Sequence, residues 1–293
     1  MVKKYDAVVI GAGNGGLTAA ARLAKEGKRV ALIEQHNMPG GFATSFVRGR
    51  FEFEPSLHEL CDLGSEEKPG AIRALLDDLG VRLEWCPMKD AFRTILTDDP
   101  DLKDYTMPFG TKEFTDKMEE YVPGSRESTE KFILLCEDLN RAVNYMMEAS
   151  GHVDPKVMQK EHANFLKCAP YSVNEVLDAL KMPKAAQKIL GSYWCYIGVP
   201  LDRLSFFFYA IMVYKYLIGG AYIPKNRSHA ISVALAERVM AFGGEVWCNT
   251  RAEKIPEGVE YTLLYQVTAG NAYTLKEYPL DKSQLDWTTF GEP

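Results

Sequence analysis

Near its start the chain carries four consecutive apolar positions, Ala7, Val8, Val9 and Ile10. A short unbroken run of this kind, rich in β-branched residues, is the pattern of a parallel strand buried on both faces, and it predicts that the chain begins inside a sheet. Leu17, Ala20, Ala21, Leu23 and Ala24 then recur at helical spacing until Gly27, which ends the helix. A second apolar run, Arg29 to Ile33, predicts the next strand and ends in Glu34. Far downstream, Ile231, Ala234, Leu235 and Val239 mark one face of a helix over about 228–242, and Gly243-Gly244 stops it before another strand. Strand and helix alternate in both regions, the pattern of an α/β fold.

The stretch between reads differently. From about 63 to 218 amphipathic helices and aromatic residues dominate. Helices are predicted over 69–79, where Ile72, Leu75, Leu76 and Leu79 share a face, and at about 111–121, 125–150, 172–180, 184–191 and 204–217. Residues 81–85 and 92–96 alternate as strands. Ser125 and Ser172 stand where helices should start, and Glu175 gives the second the capping-box spacing. The expected organisation is a Rossmann-type domain in two pieces, 1–62 and 219–255, an inserted α+β substrate or lid domain over 63–218, and a tail, 256–293, reading as a β-hairpin. The most apolar segment, 204–214, is bounded by Asp202, Arg203 and Lys215 and has about half the roughly 20 residues of a membrane-spanning helix. It is a buried or bilayer-contacting helix. The aromatic surplus of Tyr193, Trp194, Tyr196, Phe206 to Tyr209, Tyr214 and Tyr216 is either ordinary core or the wall of an apolar channel.

Charge narrows the function. Lys plus Arg number 34 against 40 Asp plus Glu, a net charge of -6 without a basic cluster, which argues against a nucleic-acid partner. Six scattered cysteines without a C-x-x-C pair suit neither zinc nor a disulfide framework and point to a reducing, cytoplasmic compartment. The N-terminus lacks the apolar region and cleavage site of a signal peptide. The five histidines show no metal-ligand spacing, and there is no G-x-S-x-G nucleophile elbow.

The chemistry sits between the first strand and the first helix, in Gly11-Ala12-Gly13-Asn14-Gly15-Gly16. Gly11 suits a tight turn, Gly13 a close approach of backbone to a pyrophosphate, and Gly16 close packing of helix on strand. The helix N-terminus offers N–H groups and a positive dipole end to phosphates. Glu34, ending the second strand, can accept hydrogen bonds from ribose hydroxyls, while its charge repels a 2′-phosphate. These residues leave NAD and FAD both open.

Gln35 to Ser45 extend the picture, with the pair Gly40-Gly41 followed by Phe42 and Ala43. The sequence here resembles the two-dinucleotide-binding-motif flavoproteins, in which E-x(5)-G-G follows G-x-G-x-x-G. More narrowly, Gly41-Phe42-Ala43-Thr44-Ser45-Phe46, Gly49-Arg50-Phe51-Glu52-Phe53-Glu54 and Leu57-His58 resemble the phytoene desaturase, carotenoid isomerase and retinol saturase family. A second patch, Gly219 to Pro224 and Gly243 to Ile255, is similar to that family's return to the FAD domain, and Ala252 occupies the position whose main chain contacts adenine there. It departs from the family in Lys225-Asn226-Arg227, where two glycines are more usual.

The resemblance implies FAD as cofactor, held by Gly11, Ala12, Gly13, Gly15, Gly16, Glu34, Gln35, Gly40, Gly41, Phe42, Ala43 and Ala252. It implies hydride transfer between the flavin and a carbon–carbon bond of an apolar isoprenoid-, carotenoid- or retinoid-like substrate, with peripheral membrane contact as a further expectation. His58 is a candidate proton donor or orienting group, with a plain surface histidine as the other reading. The tail carries no second Gly-rich segment like the one that closes over the flavin ring in the family. The expectation is a C-terminally incomplete chain, or a flavin site completed by a second chain. Two other functions stay open: an NAD-dependent dehydrogenase using the same strand–helix–strand unit, and a non-catalytic remnant that binds FAD or lipid.

Overall fold

The structure is a computed structural model that describes residues 4–97, 103–150 and 152–254. In chain order its elements begin with β1 (Ala7–Ile10), α1 (Asn14–Lys25), β2 (Val30–Ile33), β3 (Phe46–Arg48), β4 (Phe51–Phe53), α2 (Ala71–Asp78), β5 (Trp85–Pro87), β6 (Phe92–Ile95) and β7 (Asp104–Met107). Helices α3 (Thr111–Tyr121), α4 (Arg126–Glu148), α5 (Pro155–Glu161), α6 (Ala163–Cys168), α7 (Val173–Ala179) and α8 (Lys184–Leu190) follow, with a 3₁₀ turn over Gly191–Tyr196. The last elements are α9 (Phe206–Gly219), β8 (Tyr222–Pro224), α10 (His229–Ala241) and β9 (Glu245–Trp247). Contacts divide the chain into two units, 1–44 with 231–293, and 45–230. The expected boundaries at 62/63 and 218/219 fall inside the second unit. The predicted tail hairpin lies outside the described residues.

The first unit is a parallel sheet in the order β1-β2-β9, with Val8 opposite Ala31 and Leu32 opposite Val246. Central β2 is sealed, with Val30, Ala31 and Leu32 at most 3% exposed. The expectation that β1 is buried on both faces is corrected: Val8 and Ile10 are exposed. Among the described residues β1 is an edge strand paired only with β2, and only its alternate side chains are partly covered. Helix α1 buries Leu17, Ala20, Ala21 and Ala24, the small-residue stripe read from the sequence.

The second unit is mainly helical, with three two-stranded antiparallel ribbons, β3-β4, β5-β8 and β6-β7. Its core joins α3, α4, α7, α8 and α9, with Phe114, Phe132, Leu139, Leu177, Phe206 and Tyr209 closed to solvent. Phe132 meets Phe206 edge to face at 6.0 Å between centroids. Most of the aromatic surplus is therefore core, and only Trp194 and Phe208 among it are exposed.

Local chemistry explains where predicted and observed elements part. The strand expected over 81–85 forms instead at Trp85–Pro87, because the Val81 N–H is taken by the Leu76 carbonyl (2.8 Å) in a Gly80-mediated end to α2. Ser172 and Glu175 close the predicted capping box: the Ser172 N–H donates to the Glu175 carboxylate at 2.8 Å and the Glu175 N–H to the Ser172 hydroxyl at 3.3 Å. Ser125 stands at the start of α4 without capping it. Instead Glu119 receives the Gly124 and Arg126 N–H groups at 2.8 and 2.6 Å. Helix α5 was not anticipated, although Asp154 caps it through the Lys156 N–H (2.8 Å) and Pro155 occupies its first turn.

Candidate dinucleotide site

Two glycine loops of the first unit meet at the sheet's carboxyl end. Gly11 leaves β1 at φ +95°, and a Cβ on Gly16 would collide with the Gly11 carbonyl oxygen, so α1 can lie this close to the strand only because Gly16 has no side chain. The second loop folds onto the first. The Gly40 N–H donates to the Ala12 carbonyl at 2.7 Å, Gly13 and Gly40 form a parallel bridge, and a Cβ on Gly41 would stand 3.2 Å from the Gly13 Cα. The pairing of G-x-G-x-x-G with G-G is thus a physical contact of two backbones.

Gly13 is the N-cap of α1 and has no side chain with which to cap it, so the first turn keeps its positive end turned outward for a phosphate. Glu34 is positioned from both sides: one carboxylate oxygen accepts the Ala12 N–H at 2.7 Å, the other the His36 N–H at 2.8 Å. A carboxylate has about four acceptor sites, so two remain for ribose hydroxyls. The chain after β9 then runs beside Glu34, with the Thr250 N–H on the Glu34 carbonyl at 2.8 Å and the Asn249 N–H on His36 at 2.9 Å. Ala252 follows two residues later and is exposed.

The structure brings together Gly11, Ala12, Gly13, Gly16, Glu34, Gly40 and Gly41, with Gly15 in the same first turn. Gln35 is exposed and Phe42 is 79% exposed, while Ala43 is buried with its N–H on the Gly40 carbonyl at 3.0 Å. Sequence reasoning missed Ser232. It is fully buried on α10, and its hydroxyl lies 3.1 Å from both the Asn14 side-chain oxygen and the Ala43 carbonyl, tying the helix to both glycine loops. No spacing signal announces a serine 218 residues away from its partner.

His58 lies in the second unit and is exposed, and its N–H donates to the Ser56 carbonyl at 3.1 Å. In the same unit the departing triplet is anchored. Lys225 pairs with Glu84 at 2.8 Å and Arg227 with Glu52 at 3.2 Å, while the Ser228 N–H donates to Glu54 at 2.9 Å and its hydroxyl also bonds that carboxylate. Glu52 and Glu54 of the β4 motif therefore hold the start of α10, where a carboxylate is favoured by the helix dipole. Among the described residues no group of three or more metal-ligating side chains assembles, and no helix is long and apolar enough to cross a membrane.

Known proteins agree with this geometry. A family model described as an NAD(P)-binding Rossmann-like domain matches residues 9–79. All-trans-retinol 13,14-reductase of Homo sapiens is 29% identical over 262 residues, covering 86% of this chain and 42% of the reductase. Phytoene dehydrogenase of Streptomyces griseus is 25% identical over 260 residues, 85% of this chain and 48% of the dehydrogenase. The chain spans less than half the length of these two relatives. Among solved structures, an oxidoreductase of Methanosarcina mazei superposes with a TM-score of 0.55 at 19% identity over 83% of this chain and 50% of that one, a likeness of fold. The resemblance drawn from the two glycine motifs is borne out, and this chain is similar to a retinol reductase and a phytoene dehydrogenase over most of its length.

Proposed function

We propose that the chain is the dinucleotide-holding part of an FAD-dependent oxidoreductase that moves a hydride between flavin and a carbon–carbon bond of an apolar, isoprenoid-like substrate. The observation that carries this reading is the docking of Gly40-Gly41 on the Gly11–Gly16 loop with Glu34 set beside both. A dinucleotide site with a single glycine loop serves NAD equally well, whereas the second loop extends the cradle along the pyrophosphate and suits FAD. Glu34 would hold the adenosine ribose, the first turn of α1 the pyrophosphate, and the backbone near Ala252 the adenine edge. When bound, the flavin supplies the hydride chemistry; the protein binds it, orients it and excludes water. The names of the relatives, a retinol reductase and a phytoene dehydrogenase, support an apolar polyene-like substrate.

The test is the visible spectrum of the purified chain, before and after incubation with FAD and gel filtration. A yellow protein eluting with bound flavin is the expected result. A chain that stays colourless at saturating FAD yet binds NADH in calorimetry overturns the reading in favour of a nicotinamide dehydrogenase. A chain that binds FAD but never passes electrons to any polyene is a cofactor-binding remnant instead.

A further inference from the structure

In the first unit the buried hydroxyl of Ser232 does more than pack α10 against the loops. It carries one hydrogen and lies 3.1 Å from two acceptors, the Asn14 side-chain oxygen and the Ala43 carbonyl, so it bridges the two glycine loops. It also stands against Gly40, where an added Cβ would come within 3.1 Å of it. Asn14 is the first residue of α1 and is half-buried. Ser232 therefore ties down one fork of the Asn14 amide, its oxygen. The nitrogen on the other fork has no partner among the described residues.

That nitrogen is a donor at a place where an anion is expected and no cation stands. A pyrophosphate brings negative charge to the first turn of α1, yet neither glycine loop, 11–16 or 40–45, contains a lysine or an arginine. Gly13 caps α1 without a side chain, and Glu34, bonded to the Ala12 N–H, is itself a carboxylate. The anion is left with backbone N–H groups, the positive end of the helix and a neutral side-chain donor. The orientation of the amide then decides its use. With the oxygen on Ser232 the nitrogen is free for a phosphate oxygen, whereas the reverse placement would turn a lone pair toward the anion.

We infer that Asn14 is a pyrophosphate-binding residue and that Ser232 is its positioning residue, holding the amide oxygen so that the nitrogen donates to the phosphates. Helix α10 thereby takes part in dinucleotide binding through a serine 218 residues from the residue it sets. The inference rests on the dinucleotide site proposed above but not on which dinucleotide fills it, since NAD and FAD share an adenosine diphosphate part. It assigns a role to a position of the first glycine loop where the G-x-G-x-x-G pattern itself asks for no particular residue.

Calorimetric titration of the full chain with FAD and with ADP, and NMR titration with adenosine, test it without turnover. Asn14→Ala should weaken FAD and ADP by about 10- to 100-fold, the worth of one hydrogen bond to a charged group, and leave adenosine unchanged. Asn14→Asp keeps the shape of the side chain but sets a charged acceptor in place of the donor, so it should weaken both ligands further. Its thermal midpoint should not fall, because the helix dipole favours an acidic residue in the first turn. Ser232→Ala should weaken ADP by about 3- to 10-fold in the wild-type background and have no effect in the Asn14→Ala background, the mark of a residue that acts through another. Asn14→Asp binding ADP as tightly as wild type, a loss as large for adenosine as for ADP, or a Ser232→Ala loss that persists without the Asn14 amide overturns the inference. The two ligands keep the readings apart. ADP binding that falls in Asn14→Asp when FAD does not bind at all removes the flavin reading alone, and FAD bound equally by wild type and Asn14→Asp removes this inference alone. A chain that binds neither removes both.

Discussion

The glycine loops of the first unit and the helices of the second hold their shapes by different means. In the loops, backbone meets backbone: Gly40 bonds Ala12, Gly41 stands against Gly13, and Gly16 lies on the Gly11 carbonyl. In the helices, side chains fill volume, with Phe132 on Phe206 and the rings of Tyr193, Tyr196 and Tyr216 packed on one another. At Gly16 and Gly40 the first arrangement leaves no room for a Cβ. The second tolerates exchange of one apolar side chain for another of similar size but not loss of volume.

The sharpest way to break this contrast is Gly16→Val. The new side chain meets a carbonyl that cannot withdraw without dislodging β1, so a loss of about 4 kcal/mol or more is expected. Flavin retention should fall with it, as read by absorbance after gel filtration. A variant that binds flavin normally would show that the helix can slide away from the strand. Next is Phe132→Ala, which empties a fully buried site and should cost about 3–5 kcal/mol in urea unfolding followed by circular dichroism. Flavin retention in native buffer should stay intact, because no atom of the glycine loops is touched. The smallest expected effect is Ser172→Ala, which opens the α7 capping box and should cost about 1 kcal/mol in the same unfolding experiment. Ser172→Thr, which keeps a hydroxyl at the cap, should recover most of it.

The same contrast governs what could be read in advance. The elements around the cradle were legible because each depends on a local rule: a glycine where the chain must turn or approach, a β-branched run for a strand, a carboxylate at its end. The helices α3, α4 and α7 to α10 were legible from apolar spacing. What escaped was whatever a distant partner decides. The strand at Trp85–Pro87 exists because Tyr222–Pro224 pairs with it, and Ser125 does not cap α4 because Glu119 reaches its N-terminus first. Ser232 escaped for the same reason, drawing its meaning from residues far along the chain. The exposure of Val8 and Ile10 escaped because apolar pattern alone does not tell a central strand from an edge strand.

The pairing of β2 with β9 has a kinetic consequence. Leu32 finds Val246 only after the whole intervening segment has been brought together, so this closure carries the largest loop entropy in the described sheet. The helices of 45–230 draw on nearer partners, as the i,i+4 ion pairs along α4 and the short span between α3 and α4 show. Refolding should then be sequential, with a fast phase of helix recovery and a slow phase in which the parallel sheet closes. On a ribosome β2 would wait, half paired, until β9 is made.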